Sequence, residues 1–154
     1  INNEAMVKCQ LWDTAGQEKF APLIKTYYKN VAGVILIYDV TQRNSYNRLH
    51  YWINEINKHA PTDYPISKIL IGNKIDLNRV VSKEEASTLA KNNGFMYREM
   101  SIKNDFNVEE SLVALAQDIY ENKEQNKGIT KSNIKYSTLK LKGTKNRDNC
   151  CCIF

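Results

Sequence analysis

Apolar positions change period along the chain, and the changes outline its elements. Val7, Cys9 and Leu11 alternate with Lys8 and Gln10 up to Trp12, the two-residue repeat of a strand with one buried face. This strand is expected to stop at Asp13-Thr14-Ala15-Gly16. A polar, mixed stretch follows to Asn30, with Phe20, Leu23, Ile24, Tyr27 and Tyr28 spaced for a partly helical segment. Gly33 to Tyr38 is continuously apolar, as in a parallel strand covered by helices on both faces. From Ser45 the period becomes helical: Leu49, Trp52, Ile53, Ile56 and Ala60 form one stripe, closed by Pro61 and Pro65. Ile69-Leu70-Ile71 is a short strand ending at Gly72-Asn73-Lys74.

Ser82-Lys83-Glu84-Glu85 is a capping box, whose serine and second glutamate serve the free N–H groups of a helix running to Asn92-Asn93-Gly94. Phe95 to Met100 is a strand, and a last helix starts at Asn107-Val108-Glu109-Glu110 with Leu112, Leu115, Ala116 and Ile119 as its stripe. The order is strand, irregular, strand, helix, strand, helix, strand, helix. Such alternation predicts an α/β fold with a mostly parallel sheet. Ligands of these sheets sit beyond the carboxyl ends of the strands, which here are Asp13 to Glu18, Asn73 to Asp76 and Ser101 to Lys103.

Composition fits one globular domain, with 42% hydrophobic and 25% charged residues among 154. The net charge of +5 would suggest a nucleic-acid partner, but its location argues otherwise. Residues 1–122 hold 14 basic and 15 acidic residues, whereas 123–154 hold eight basic and two acidic. The expected organisation is therefore a domain over 1–122 and a flexible basic tail over 123–154, with no nucleic acid as partner. Cys150, Cys151 and Cys152 are adjacent and cannot staple a fold. His50 and His59 lie far from every cysteine, so no zinc spacing exists and both read as surface residues. The apolar run Val31 to Tyr38 falls well short of the ~18 residues that a span needs, and no signal peptide is visible. A reducing, cytosolic setting is expected.

The strand ends carry the candidate chemistry. Asp13-Thr14-Ala15-Gly16-Gln17-Glu18 offers a carboxylate, a glycine and an amide, and read alone it is equally a turn with a helix cap. Asn73, Lys74 and Asp76 are common turn residues. Their chemistry is nevertheless pointed, since a fixed aspartate accepts two hydrogen bonds from the N1–H and 2-amino groups of guanine, a pair that adenine lacks. Ser101, Ile102 and Lys103 could add a backbone N–H toward the guanine O6 and a lysine stem over the ring.

These three motifs in this order resemble the Ras superfamily of small GTPases. The text Leu11-Trp-Asp-Thr-Ala-Gly-Gln-Glu18, Tyr27-Tyr28, Ile37-Tyr-Asp-Val-Thr41 and Trp52-Ile-Asn-Glu-Ile56 is similar to the Rab branch, over roughly residues 6 to 122. The resemblance implies a three-layer P-loop GTPase fold acting as a GTP-hydrolysing switch in vesicle-mediated transport. Its cofactors would be GTP/GDP and Mg2+. Asp13 would hold the metal through water, with Thr14 and Ala15 lining the nucleotide. The Gly16 N–H would hold the γ-phosphate, so that hydrolysis releases the segment through Tyr28, and Gln17 would orient the attacking water. Asn73, Lys74, Asp76, Ser101, Ile102 and Lys103 would form the guanine pocket, with Ile102 standing where the family usually has alanine. Trp12 and Tyr27 match two members of an aromatic triad that receives Rab effectors. Exchange factors and activating proteins are the other expected regulators.

Gly-x-x-x-x-Gly-Lys-Ser/Thr, the loop that holds the phosphates and the metal, occurs nowhere in the chain. By the resemblance, the first strand, phosphate loop, first helix and second strand would precede Ile1. Two readings follow. The sequence is the later part of a longer Rab-type GTPase, or it is a nucleotide-free interaction or decoy protein that binds Rab effectors or escort proteins. Without the central first strand the sheet would have open edges, so residues 1–154 alone are expected to be aggregation-prone or partly disordered.

The tail ends Cys150-Cys151-Cys152-Ile153-Phe154. Cys151 begins a C-a-a-X box whose final Phe suggests geranylgeranyl transfer, and Rab-like proteins often carry two such chains, enough for stable anchoring. A prenyl transferase, escort proteins and an anionic membrane surface are the implied partners. The place would be the cytoplasmic face of intracellular membranes, in exchange with cytosol. Lys135, Lys140, Lys142, Lys145 and Arg147 would then add attraction to the leaflet, though they are equally a solvated spacer.

Overall fold

In a computed structural model of the chain, residues 11–12 and 31–125 are described, with side chains to residue 122. The element order is β1 (Gly33–Asp39), α1 (Arg43–Asn47), α2 (Leu49–His59), β2 (Ser67–Asn73), α3 (Lys83–Asn92), β3 (Met96–Glu99) and α4 (Val108–Gln125). The strands form a parallel sheet in the order β1-β2-β3, with Gly33 opposite Ser67, Asp39 opposite Asn73, and Gly72 opposite Glu99.

Both faces of this sheet are covered, which is why β1 and β2 read as unbroken apolar runs. Val34, Leu36, Tyr38 and Leu70 pack with Tyr46, Leu49, Trp52, Ile53, Ile56, Ala86 and Ala90, so α1, α2 and α3 close one side. Ile35, Ile69 and Ile71 point to the other side, onto Leu115 and the half-buried Leu112 and Ile119 of α4. Three layers result, as expected.

Local chemistry sets the ends of the helices. The helix expected from Ser45 begins two residues earlier and is divided in two at Arg48, where Arg48 N–H still donates to the Asn44 carbonyl and Trp52 N–H to the Arg48 carbonyl. Ala60 closes α2 in an extended conformation with ψ 148°, as the following Pro61 requires. Gly94 takes φ +69° after α3. Its N–H donates to the Lys91 carbonyl and that of Phe95 to the Ala90 carbonyl, a Schellman closure.

Two expectations are corrected. Only half of the capping box forms: Ser82 Oγ accepts from Glu85 N–H at 3.1 Å, but the Glu85 carboxylate turns away to Arg43 at 2.6 Å. A full guanidinium charge outcompetes a single backbone N–H for it. Leu11 and Trp12 were expected to end a half-buried strand, yet neither is in a strand and both are about half exposed. A strand is held by its ladder, and among the described residues β1 pairs only with β2. The preceding Val7 to Gln10, the segment 13–30 and the tail beyond Gln125 lie outside the described residues. Among the described residues no helix is long and apolar enough to cross a membrane.

Candidate functional site

Parallel pairing brings the carboxyl ends of the strands side by side, and Asp39, Asn73 and, just past β3, Ser101 emerge there. Asn73 is 8% exposed. Its Oδ1 accepts from its own neighbour Lys74 N–H at 2.8 Å and from Ile102 N–H at 3.3 Å, which ties the loop after β2 to the turn after β3. An apolar side chain in its place would leave both donors unsatisfied.

Lys74 adopts φ 67°, a left-handed conformation uncommon outside glycine. This turns its side chain back over β1, where Nζ lies 2.6 Å from Asp39 Oδ2. Asp39 Oδ1 also accepts from the Thr41 N–H and hydroxyl at 2.8 and 2.7 Å. Burial opposes ionisation of Asp39, but Lys74 and Thr41 outweigh it and the carboxyl titrates below its ordinary value.

Asp76 is oriented by Ser101, whose hydroxyl donates to Oδ1 at 2.6 Å and accepts from Asn104 N–H at 3.2 Å. Lys103 Nζ stands 4.0 Å from Oδ2. The Ser101 hydrogen bond, helped by a backbone hydrogen bond and then by Lys103 and Lys74, outweighs desolvation and holds the Asp76 carboxyl below its usual range. Ser101 and Phe106 exchange two backbone hydrogen bonds that close the turn, and the Ile102 side chain at its tip is 54% exposed. The result is a fixed carboxylate at one end of the sheet, suited to a planar ligand with paired N–H groups.

Of the residues expected in a site, Asn73, Lys74, Asp76, Ser101, Ile102 and Lys103 come together here. Asp13, Thr14, Ala15, Gly16, Gln17, Tyr27, Tyr28, Cys150, Cys151 and Cys152 lie outside the described residues. Trp12 is about half exposed. No group of His, Cys, Asp and Glu among the described residues could hold a metal ion, and His50 is exposed while His59 faces Glu55 at 3.5 Å. Sequence reasoning missed Asp39, although it is an acid at a strand end and the same rule applied to β1 would have found it.

It also missed a polar chain just beneath the site. The Tyr38 and Tyr97 hydroxyls lie 3.0 Å apart, Tyr97 donates to Glu99 Oε1 at 2.8 Å, and Arg79 forks onto both Glu99 oxygens at 2.9 and 3.1 Å. Burial first, and then the Glu99 charge, pushes Tyr38 up to about 12; Tyr97 is raised too, by burial and its hydrogen bonds. Burial likewise opposes ionisation of Glu99, but Arg79 and Tyr97 prevail and lower its value. No motif links these positions in the sequence.

Comparison with known proteins shows the family. Residues 1–121 match the model of the Ras family. The chain is 38% identical over 153 residues to the Ras-related protein SEC4 of Saccharomyces cerevisiae, covering 97% of this chain and 70% of that protein. It is 43% identical over 117 residues to the GTP-binding protein yptV2 of Volvox carteri, covering 74% and 53%. With the Ras-related protein Rab-8 of Diplobatis ommata the identity is 38% over 138 residues, covering 88% and 64%. The chain thus spans between about half and seven-tenths of the length of these relatives. A parallel sheet between helices, with its polar loops at the strand ends, and these likenesses place the chain in the Ras family, as a Rab-type small GTPase.

Proposed function

We propose that the chain belongs to a guanine-nucleotide switch of Rab type that serves vesicle-mediated transport. The observation that carries this reading is the Asp76 carboxylate, fixed by Ser101 beside the loop that Asn73 ties to Ile102. An ionised acceptor in a set orientation suits the N1–H and 2-amino groups of guanine and would repel a base that presents a lone pair there. Ser101 is the positioning group, Asn73 joins the two loops, and the stems of Lys74 and Lys103 would flank the ring. In this reading Asp13 would hold Mg2+ through water, Thr14 and Ala15 would line the nucleotide, the Gly16 N–H would hold the γ-phosphate, and Gln17 would orient the water for hydrolysis to GDP and phosphate. These roles come from the family resemblance. Mg2+ would supply charge neutralisation at the phosphates.

Trp12 and Tyr27 are proposed as effector contacts, with exchange factors, activating proteins and escort proteins as further partners. Cys150, Cys151 and Cys152 are proposed to take prenyl groups that hold the protein on the cytoplasmic face of intracellular membranes.

The test is Asp76→Asn. GTP affinity should fall about a hundredfold, and xanthine nucleotides, which offer the complementary groups, should be preferred. Unaltered GTP affinity would refute the assigned pocket. Protein purified from its source free of guanine nucleotide would favour a nucleotide-free interaction protein instead.

A further inference from the structure

The polar chain beneath the site has a direction. Each hydroxyl carries one proton, and that of Tyr97 goes to Glu99, so the 3.0 Å contact must be Tyr38 donating to Tyr97. The relay therefore runs Tyr38 to Tyr97 to Glu99, and Arg79 closes it with two charge-assisted bonds.

Its placement matters more than its strength. Tyr38 is opposite Gly72 and Gly72 opposite Glu99, so all three lie in one row on one face of the sheet. Because Gly72 has no side chain, the Tyr38 hydroxyl crosses the middle strand above it: a Cβ there would lie 3.0 Å from Tyr38 Oη. The relay thus joins the outer strands β1 and β3 over β2, one residue before Asp39 and Asn73 and two before Ser101. Arg79 lies on the same connection between β2 and α3 as Lys74 and Asp76, so its fork on Glu99 ties that connection to β3. The Asn107 side-chain amide donates to the Glu99 carbonyl at 3.1 Å and adds the entry of α4 to the same point.

We propose that Tyr97 is a positioning residue for base recognition, holding the Asn73–Asp76 loop and the Ser101–Lys103 turn at the spacing in which Asp76 meets the guanine edge. This rests on the guanine reading above. Tyr97 touches no nucleotide; it acts through Glu99 and Arg79.

The experiment compares GDP and IDP binding by the full chain before and after Tyr97→Phe. IDP lacks the 2-amino group and so makes one bond fewer to Asp76. A residue that aligns Asp76 should matter more for GDP: its dissociation constant should rise about fivefold, that of IDP less than about twofold, and the GDP preference should narrow. Tyr38→Phe, which leaves the bond from Tyr97 to Glu99 in place, should have the smaller effect in the same direction. Equal rises for both nucleotides, or no change, overturn the proposal while the guanine pocket stands, since the unaltered chain still prefers GDP to IDP. If the unaltered chain does not prefer GDP to ADP, the guanine reading falls and this proposal falls with it.

Discussion

Gly72→Ala tests the packing on which the site rests. The new Cβ would lie 3.0 Å from Tyr38 Oη and from Val40 Cγ1, and 3.2 Å from Tyr38 Cζ. Both contacts are tighter than ordinary van der Waals approach, so both neighbours must retreat by a few tenths of an ångström. Neither has room. Tyr38 and Val40 are fully buried, the Val40 carbonyl accepts from the Val80 and Val81 N–H groups, and its N–H donates to the Asn73 carbonyl. Overpacking of this kind costs about 1–3 kcal/mol, and loosening the Tyr38 to Tyr97 hydrogen bond adds about 1 kcal/mol. Replacing glycine stiffens the unfolded chain, which returns about 0.4–1 kcal/mol. The expected net loss is about 2 kcal/mol, read as a lower urea midpoint with an unchanged slope. Fluorescence of the buried Trp52 can report it. In a Tyr38→Phe background the nearest tyrosine atom becomes the ring carbon at 3.2 Å, so the penalty should shrink. An unchanged or raised midpoint, or the same penalty in both backgrounds, would refute the reasoning.

Ser82→Ala should cost about 1 kcal/mol in the same urea assay, because the one cap bond that forms is lost; Glu85→Gln should cost less than about 1 kcal/mol, since its pair with Arg43 is well exposed. Glu99 has a lowered folded-state value against an ordinary 4.5, so its contribution to stability is present above about pH 4.5 and is lost as pH falls through the folded value. Urea midpoints measured against pH should therefore drop less steeply on the acid side in Glu99→Gln, although Asp39, lowered in the same direction, keeps part of the slope. Changing Cys150, Cys151 and Cys152 together to serine should move the full-length protein from membranes to cytosol in fractionation, and no change would sink the proposed anchor.

Much of the fold is legible in the sequence because its signals are local. The unbroken run Gly33 to Tyr38, the stripe from Leu49 to Ile56 and the stop at Asn93-Gly94 each depend on burial or backbone chemistry within a few residues. The loops of the candidate site were legible for the same reason: Asn73, Lys74 and Asp76, and then Ser101 to Lys103, are short runs placed by strand ends. Strand status at Leu11 and Trp12 was not, because a ladder requires a neighbour that an alternating pattern does not supply.

Sequence alone determined the alternation of strands and helices, the parallel sheet it demands, the partition of charge between residues 1–122 and the tail, and the family motifs. Tertiary structure decided who partners whom. Glu85 abandons the cap of its own helix for Arg43, 42 positions away. Lys74 finds Asp39 on the neighbouring strand. Tyr38 reaches Tyr97 across Gly72, and Arg79 closes on Glu99. These choices follow from register and from the absence of a side chain at one position, which set distances between residues far apart in the chain. A pattern of apolar periods records which face is buried, not which charged or hydroxyl group will stand opposite another once the strands are side by side.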